Sequence, residues 1–553
     1  MTVPRNSPLR TSTPARSPSL RTLHSPGGKN RAVQAANSLV LTDFDRACIA
    51  YLQDSALVVL LGKHWPWSAM SYAYHKIAVK EPMVMSMLLA STASEIRRSQ
   101  FYDHDHHQPG AVEALADLGG RMHYGRALAG LREALRPEGA TSAEQLEAIF
   151  ITLWLMIDYE NRFGSGTAAI NVHIRGIESL LFNHVVPLLK PGSEAAAAIA
   201  DRSGGRTSWR EAMVASAGSS PPRPTPAPTP PPRELTRATS QLRHTAVPLF
   251  LLWTLYFFTP GALFCGPGAA RLDADLFRFF IQDEAEHAGL SLAELYRIGR
   301  QSPRRFWGEA YPTAAQLDDI ENLPALTLYH RSHVMQFKIT ELWRQGQRTS
   351  EPSYRRLVDE LTTILDENNT LLTTAQTAPT GDRSNTNTHL PHRRILETIF
   401  WATITFYGTI VYFHLCFKDT IPQSQFPYHH QPSDLPSLTD AVDQVLALSL
   451  NLHRSRPHLM VRIVWPLFIA GIATPDRIYQ DWVSMRLQEL GRYGLNYRRV
   501  SQRFDEIVIQ GCDPFGLGLG LGMGMGNVAA VEGEEGEDGG WEGAGMEMEV
   551  QIG

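Results

Sequence analysis

Cysteine is scarce and scattered: Cys48, Cys265, Cys416 and Cys512 are the only four in 553 residues. No two of them form a Cys-x-x-Cys spacing, which removes the zinc knuckle and the thioredoxin-like redox pair. Isolated thiols in mostly apolar contexts fit a reducing compartment, nucleus or cytosol. An excess of positive charge is missing too. Lys and Arg number 51 against 56 Asp and Glu, a net charge of −5. A body-wide basic footprint for nucleic acid is therefore lacking, and any DNA contact needs a dedicated basic module. The motifs HExxH, GxxxxGK[ST] and GxSxG do not occur; each would carry a recognisable metal, phosphate or nucleophile site. Sustained period-two alternation between hairpin turns is also missing, so little sheet is expected, and no fixed-period repeat is visible.

What the chain does have is apolar content, 43% of its residues. That is enough for a sizeable core and excludes global disorder. The patterning is helical. Pro82 opens a helix over Met83–Phe101 at the position where its missing N–H costs nothing. Ala111–Leu135 follows. Thr141-Ser-Ala-Glu144 reads as a capping box, and behind it Leu146, Ile149, Phe150, Leu153, Trp154 and Ile157 line one face of a 3.6-residue period. Leu155 and Met156 add apolar surface beyond that face, which marks the helix through Phe163 as central. Ala168–Leu189 forms the next. Ser291-Leu-Ala-Glu294 is a second capping box. Thr474-Pro475-Asp476 reads as a capping Thr with Pro at the first helical position, and Ile478, Trp482 and Met485 as the buried stripe of the helix it starts.

Composition divides the chain. Residues 1–40 form a basic Ser/Pro-rich tail, whose prolines oppose the amphipathic helix of a transit peptide. Residues 41–511 form the helical body. An insertion at 192–240 interrupts it and includes Pro221–Pro232, eight prolines in twelve residues, which favours polyproline II over helix. A polar loop at 376–390 interrupts it again. Residues 512–553 form a Gly-rich and then acidic tail. In Gly516–Gly526 glycine strictly alternates with Leu or Met, so GxGxxG is never satisfied. Glu532–Glu549 holds acids interleaved with Trp541, Met546 and Met548; it is read as a solvated acidic tail, with an amphipathic activation segment as the alternative.

Two uncharged runs, Thr245–Ala270 and Thr398–Phe417, approach the ~20 residues that span a bilayer. Pro260, Gly261 and Pro267 interrupt the first. His414 and four threonines lie in the second. Both are read as helices buried within a large core. Metal chemistry has thin support. Glu284-Ala-Glu286-His287 is half of a di-iron carboxylate site, and the second Glu-x-x-His that such a site needs does not occur. Asp103-His104-Asp105-His106-His107 and His429-His430 sit in polar, proline-flanked stretches, and His330 and His333 share a helix face with no third ligand in view. No catalytic, cofactor-binding or metal-ligating residue is assigned, and no cofactor is expected.

Three segments carry a resemblance. One is the helix Leu146–Phe163 with Val172-His173-Ile174-Arg175-Gly176-Ile177. Another is Val464-Trp465-Pro466-Leu467-Phe468-Ile469-Ala470-Gly471-Ile472. The third is the following helix, Asp476–Leu490. In this order they resemble the regulatory, or middle-homology, domain of fungal-specific transcription factors of the zinc-cluster class, over roughly 41–510. The resemblance implies an all-α fold and a nuclear regulator of transcription by RNA polymerase II, not an enzyme. It also implies partners in the transcription machinery, a possible small-molecule effector and no membrane. Members usually carry six zinc-binding cysteines near the amino terminus. Residues 1–47 have none, so DNA is expected to be reached only indirectly or through a zinc cluster missing from this sequence. The residues themselves read as structural: Trp465 and Phe468 as core anchors, Pro466 as a kink or helix start, His173 and Arg175 as ties at a helix junction. The alternative is a membrane-embedded or soluble helical protein with another role, including an enzyme whose site leaves no motif.

Overall fold

The computed structural model describes residues 41–61, 63, 65–104, 118–135, 142–164, 167–182, 244–260, 276–281, 291–345, 351–378, 390–417 and 435–510. Among these residues there are α-helices, short 3-10 and π turns, and no strand, so the fold is all-α. The tails at 1–40 and 512–553, the insertion at 192–240 and Trp541 lie outside the described residues. So do Glu284, Glu286, His287, His429 and His430.

The helices build two hydrophobic cores. The first is assembled from α1 (Asp43–Tyr51), α2 (Ala56–Leu61), α3 (Ala69–Tyr72), α4 (Pro82–His104), α5 (Leu118–Ala134), α6 (Ala143–Phe163) and α7 (Thr167–Leu180), with α8 (Val247–Tyr256), α9 (Leu276–Ile281) and α10 (Leu292–Trp307). The second uses α11 (Thr313–Arg344), α12 (Glu351–Glu367), α13 (Asn369–Thr377), α14 (Leu390–Phe417), α15 (Leu438–Ser455), α16 (Val464–Ala473), α17 (Arg477–Glu489) and α18 (Leu495–Gln510).

Helix α6 is buried on every side: from Leu146 to Phe163 only Glu160 escapes full burial. Its one cation is paired within the core. Arg162, with no exposed surface, forms ion pairs with Asp158 at 2.8 Å and Glu95 at 3.0 Å. Glu95 in turn accepts from Tyr51 Oη at 2.7 Å and from the Ala56 amide at 2.8 Å. The far end of the chain closes over this helix, with Arg162 Nη1 donating to the Tyr493 carbonyl and Asn496 Nδ2 to the Asn161 carbonyl at 2.7 Å.

Helix α14 is the pillar of the second core and packs against α11, α15 and α16. It is long and apolar enough to cross a membrane, and 89% of its most apolar window is buried inside the protein, the environment of a core helix. Two of its threonines are paired within the helix: Thr405 and Thr409 donate to the carbonyls of Trp401 and Thr405, one turn back. The other uncharged run gives α8, whose ten residues are too short to span a bilayer.

Several local expectations shift. The cap of α6 is Ser142, not Thr141, with Ser142 Oγ accepting from the Gln145 amide. Ser291 caps α10 as read, accepting from the Glu294 amide at 3.2 Å. Asp476, not Thr474, caps α17 and accepts from the Ile478 amide at 2.8 Å. Thr474 instead ends α16, donating its amide to Ala470, so the Thr-Pro pair is the turn between two helices. The buried face of α17 also differs from the expected one. Ile478 and Met485 are exposed, at 79% and 49%, and Trp482 is half-buried; Val483 and Leu487 form the buried stripe. The polar loop starts later than read, since Gln376 and Thr377 still belong to α13 and Leu390 already belongs to α14.

Candidate functional site: a cavity between the two cores

A cavity of about 180 Å³ lies where the two cores meet. Helical periodicity places its walls. Helix α6 contributes Trp154, Asp158, Asn161 and Arg162, at i, i+4, i+7 and i+8. Helix α11 contributes Leu326, Tyr329, His333 and Gln336, again on one face. Trp253 and Tyr256 of α8, Arg300 of α10, Trp401 of α14 and Trp465 of α16 complete the ring. The result is an aromatic shell with polar groups set into it.

Two histidines of α11 are held neutral, His333 in the cavity wall and His330 beside it. Burial pushes both His330 and His333 down to about 3, and for His330 the nearby Arg300 cation adds to the effect. His333 stacks on Tyr256 with ring centres 4.5 Å apart, and His330 stacks on Tyr296 at 4.2 Å. Tyr256 Oη is 2.9 Å from His330 Nδ1. The tautomer of His333 follows from its partner. Thr259 has one hydroxyl proton and donates it to the Tyr256 carbonyl. His333 Nδ1, 2.9 Å from Thr259 Oγ, must therefore be the donor, which leaves Nε2 as a bare acceptor. The same reasoning fixes Gln336. Thr409 spends its proton on Thr405, so Gln336 Nε2 donates to Thr409 at 3.1 Å and Oε1 is the free acceptor.

Polar atoms without a hydrogen-bond partner concentrate here. Trp154 Nε1, Asn161 Oδ1, Arg300 Nε, His333 Nε2 and Gln336 Oε1 are buried and unpartnered, and all five belong to residues lining the cavity. Such groups are costly in a folded core and call for a partner.

The cations are unequal. Arg162 is matched by Asp158 and Glu95. Arg462 makes no ion pair among the described residues; it donates to the Val59 carbonyl and lies 4.5 Å above the Trp401 ring. Burial holds its guanidinium down to about 10. Arg300 faces the phenols of Tyr256 and Tyr296, with no carboxylate partner among the described residues. Arg462 and Trp401 also border a second, more polar cavity of about 580 Å³ that includes Lys63 and Arg394, so the stacked pair is the partition between the two.

The residues singled out from sequence fall in different places. His330 and His333 come together with Tyr256 as described. No group of three His, Cys, Asp or Glu suited to a metal occurs among the described residues. His173 is buried, its Nε2 2.7 Å from Tyr124 Oη, tying α7 to α5; Arg175 is exposed. Trp465 and Phe468 are core residues, and Trp465 also lines the cavity. Pro466 lies in the first turn of α16. Arg162, Arg300, Arg462 and Gln336 were not anticipated. Arg162 had a legible signal, an i, i+4 acid–base pair inside an apolar helix; the other three had none.

Residues 282–507 match the family model of the fungal specific transcription factor domain. Over this span the chain is similar to that domain. The match takes in Val464–Ile472 and Asp476–Leu490 and leaves Val172–Ile177 outside. No curated protein and no solved structure matches the chain. A domain of this family suggests a transcription regulator with a nuclear role, and points to regulation over catalysis. The fungal-specific domain supplies only one side of the cavity, including Arg300, His333, Gln336, Trp401, Arg462 and Trp465; the opposite wall, with Trp154, Asn161, Arg162 and Tyr256, comes from helices upstream of the match.

Proposed function

We propose that this chain is an effector-responsive regulator of RNA polymerase II transcription that acts in the nucleus through protein partners. On this reading residues 41–511 work as one regulatory body, and DNA is reached through a partner or a module not present in the sequence. The observation that carries the effector reading is the placement of the cavity. It is walled by the fungal-specific domain on one side and by the upstream helices on the other, so an occupant touches both and biases how they pack. An occupant that contacted only one core would have no such leverage.

The experiment is to tether the full chain to a promoter by fusing it to an unrelated DNA-binding domain, and to read a reporter in a fungal host. The expected result is a change in reporter output of severalfold relative to the DNA-binding domain alone. A fusion that accumulates in the nucleus at normal abundance and leaves the reporter unchanged overturns the regulator reading.

A further inference from the structure

The side of α17 turned away from the core is apolar. Ile478, Trp482 and Met485 stand at i, i+4 and i+7, one face of a helix, with Ile478 and Met485 exposed and Trp482 half-buried. The charges beside this stripe are already matched on the same helix: Arg477 pairs with Asp481 at 3.0 Å and Arg486 with Glu489 at 2.9 Å. A charged occupant finds no free counter-charge on α17, whereas an uncharged apolar one needs none.

The chain delivers such an occupant to this place. A short link, 490–494, returns the chain from α17 to α18, and the two helices pack with Ser484 Oγ donating to Asp505 Oδ1 at 2.6 Å. Ile509 is one turn beyond Asp505, and Gln480 is one turn before Ser484, so α18 ends beside the start of α17, at the Ile478 end of the stripe. The sequence then continues from Gln510 to Gly553. Its next apolar stretch is residues 515–525, where Phe515, Leu517, Leu519, Leu521, Met523 and Met525 alternate with glycine and no residue is charged. In an extended chain alternate side chains share one face, and the glycines let its backbone lie close to a neighbour. Leu517 to Leu521 then covers about 13 Å at about 3.3 Å per residue. The stripe from Ile478 to Met485 is about 10 Å long at about 1.5 Å per residue.

We propose that residues 515–525 of this chain dock along the Ile478–Met485 face of α17, with Leu517, Leu519 and Leu521 packed over Ile478, Trp482 and Met485. The contact is intramolecular, and its short tether gives it a high effective concentration. The acidic run 532–549 is the poorer occupant, because the cations of α17 are already paired. The face lies within the span that matches the fungal specific transcription factor domain, so a protein partner that takes this face must first displace the tail.

The test is disulfide trapping in the purified full chain carrying Cys265→Ser and Cys512→Ser; the other two cysteines, Cys48 and Cys416, are buried. With Met485→Cys and Leu519→Cys together, an intramolecular disulfide is expected to form about tenfold faster or more than with Ile320→Cys and Leu519→Cys. Ile320, on α11, is also apolar and exposed, so this pair shows what unspecific apolar contact yields. Adding Ile478→Ser and Leu517→Ser to the first pair should slow trapping by about fivefold or more. Melting curves show that each variant is folded, and all four changes fall on exposed positions or on the tail. Equal trapping at Met485 and Ile320 overturns the proposal. So does trapping that the two serines leave unchanged, which would report nearness without packing. Faster trapping when Met548→Cys replaces Leu519→Cys would give the face to the acidic run and overturns it too. A disulfide joining two chains, read as a dimer on a non-reducing gel, would give the face to a second copy, with the same consequence.

Discussion

Pro466 occupies the space that the missing side chain of Gly408 leaves open: a β-carbon on Gly408 would lie 2.7 Å from Pro466 Cβ. This contact sets how closely α14 and α16 approach. Gly408→Ala should therefore lower stability by about 1–3 kcal/mol, the usual cost of forcing a methyl group into a packed contact. Gly125→Ala, in an exposed stretch of α5 with nothing within 4 Å of the new atom, should do the opposite and raise stability by about 0.5–1 kcal/mol. Urea melts of the two variants check both signs together.

Arg162 is the only cation matched to both Asp158 and Glu95 in the described part of the first core. Arg162→Met would leave those two carboxylates buried without it and should cost about 3–5 kcal/mol. Glu95→Gln should cost less, because a glutamine oxygen can still accept from Tyr51 and from the Ala56 amide. Equal losses from the two variants in chemical denaturation would show that the ion pairs are not what matters there.

Glu147 predicts a pH dependence on the alkaline side. It is buried, accepts from Tyr72 Oη at 3.1 Å and from the Ala246 amide, and burial pushes its carboxyl from 4.5 up to about 7. The folded state therefore holds this proton more tightly than the unfolded chain. The resulting stability is fully present below pH 4.5 and is lost as pH rises through about 7, amounting to roughly 3 kcal/mol. Glu147→Gln, which carries no titrating proton, should be more stable than the unmodified chain at pH 8 and should lose this slope. Melting temperatures across pH 5–8 decide it; parallel curves for the two proteins would contradict the assignment.

The two faces of α17 separate exposed from buried apolar residues. Ile478→Ser and Met485→Ser, on the exposed face, should change stability by less than about 0.5 kcal/mol. Leu487→Ala, whose side chain is 1% exposed, should cost about 2–5 kcal/mol. A large loss from the serine variants would restore the stripe expected from sequence.

Much of the fold was legible because helix formation is a local matter. Pro82, the run from Leu146 to Ile157 and the Ser291 cap each announce a helix through spacing that a few neighbouring residues determine. The misplacements are local as well. Thr141-Ser142 and Thr474-Pro475-Asp476 each offer two candidate caps, and only the backbone turn selects between them. The buried stripe of α17 depends on the neighbouring helices, which cover Val483 and Leu487 and leave Ile478 exposed. The cavity was illegible for a different reason. Its unpartnered atoms, such as Gln336 Oε1 and His333 Nε2, acquire their significance only after α6, α8, α11 and α14 have been brought together from distant parts of the chain. His330 and His333 were visible as a pair, but their hydrogen-bond partners, Tyr256 and Thr259, lie some 74 residues away.

The closing bonds between the first helices and the last have a bearing on how the molecule comes into being. During synthesis Val59 and Asn161 leave the ribosome long before their partners, since Arg462 follows Val59 by 403 residues and Asn496 follows Asn161 by 335. Until those partners emerge, the end of α6 at Asn161 and Arg162 lacks the cover of Tyr493 and Asn496. Contacts of such long sequence separation form late and slowly. The amino-terminal half is thus a waiting template, and a ribosome stalled before residue 460 leaves behind a product whose first helices lack these closing bonds.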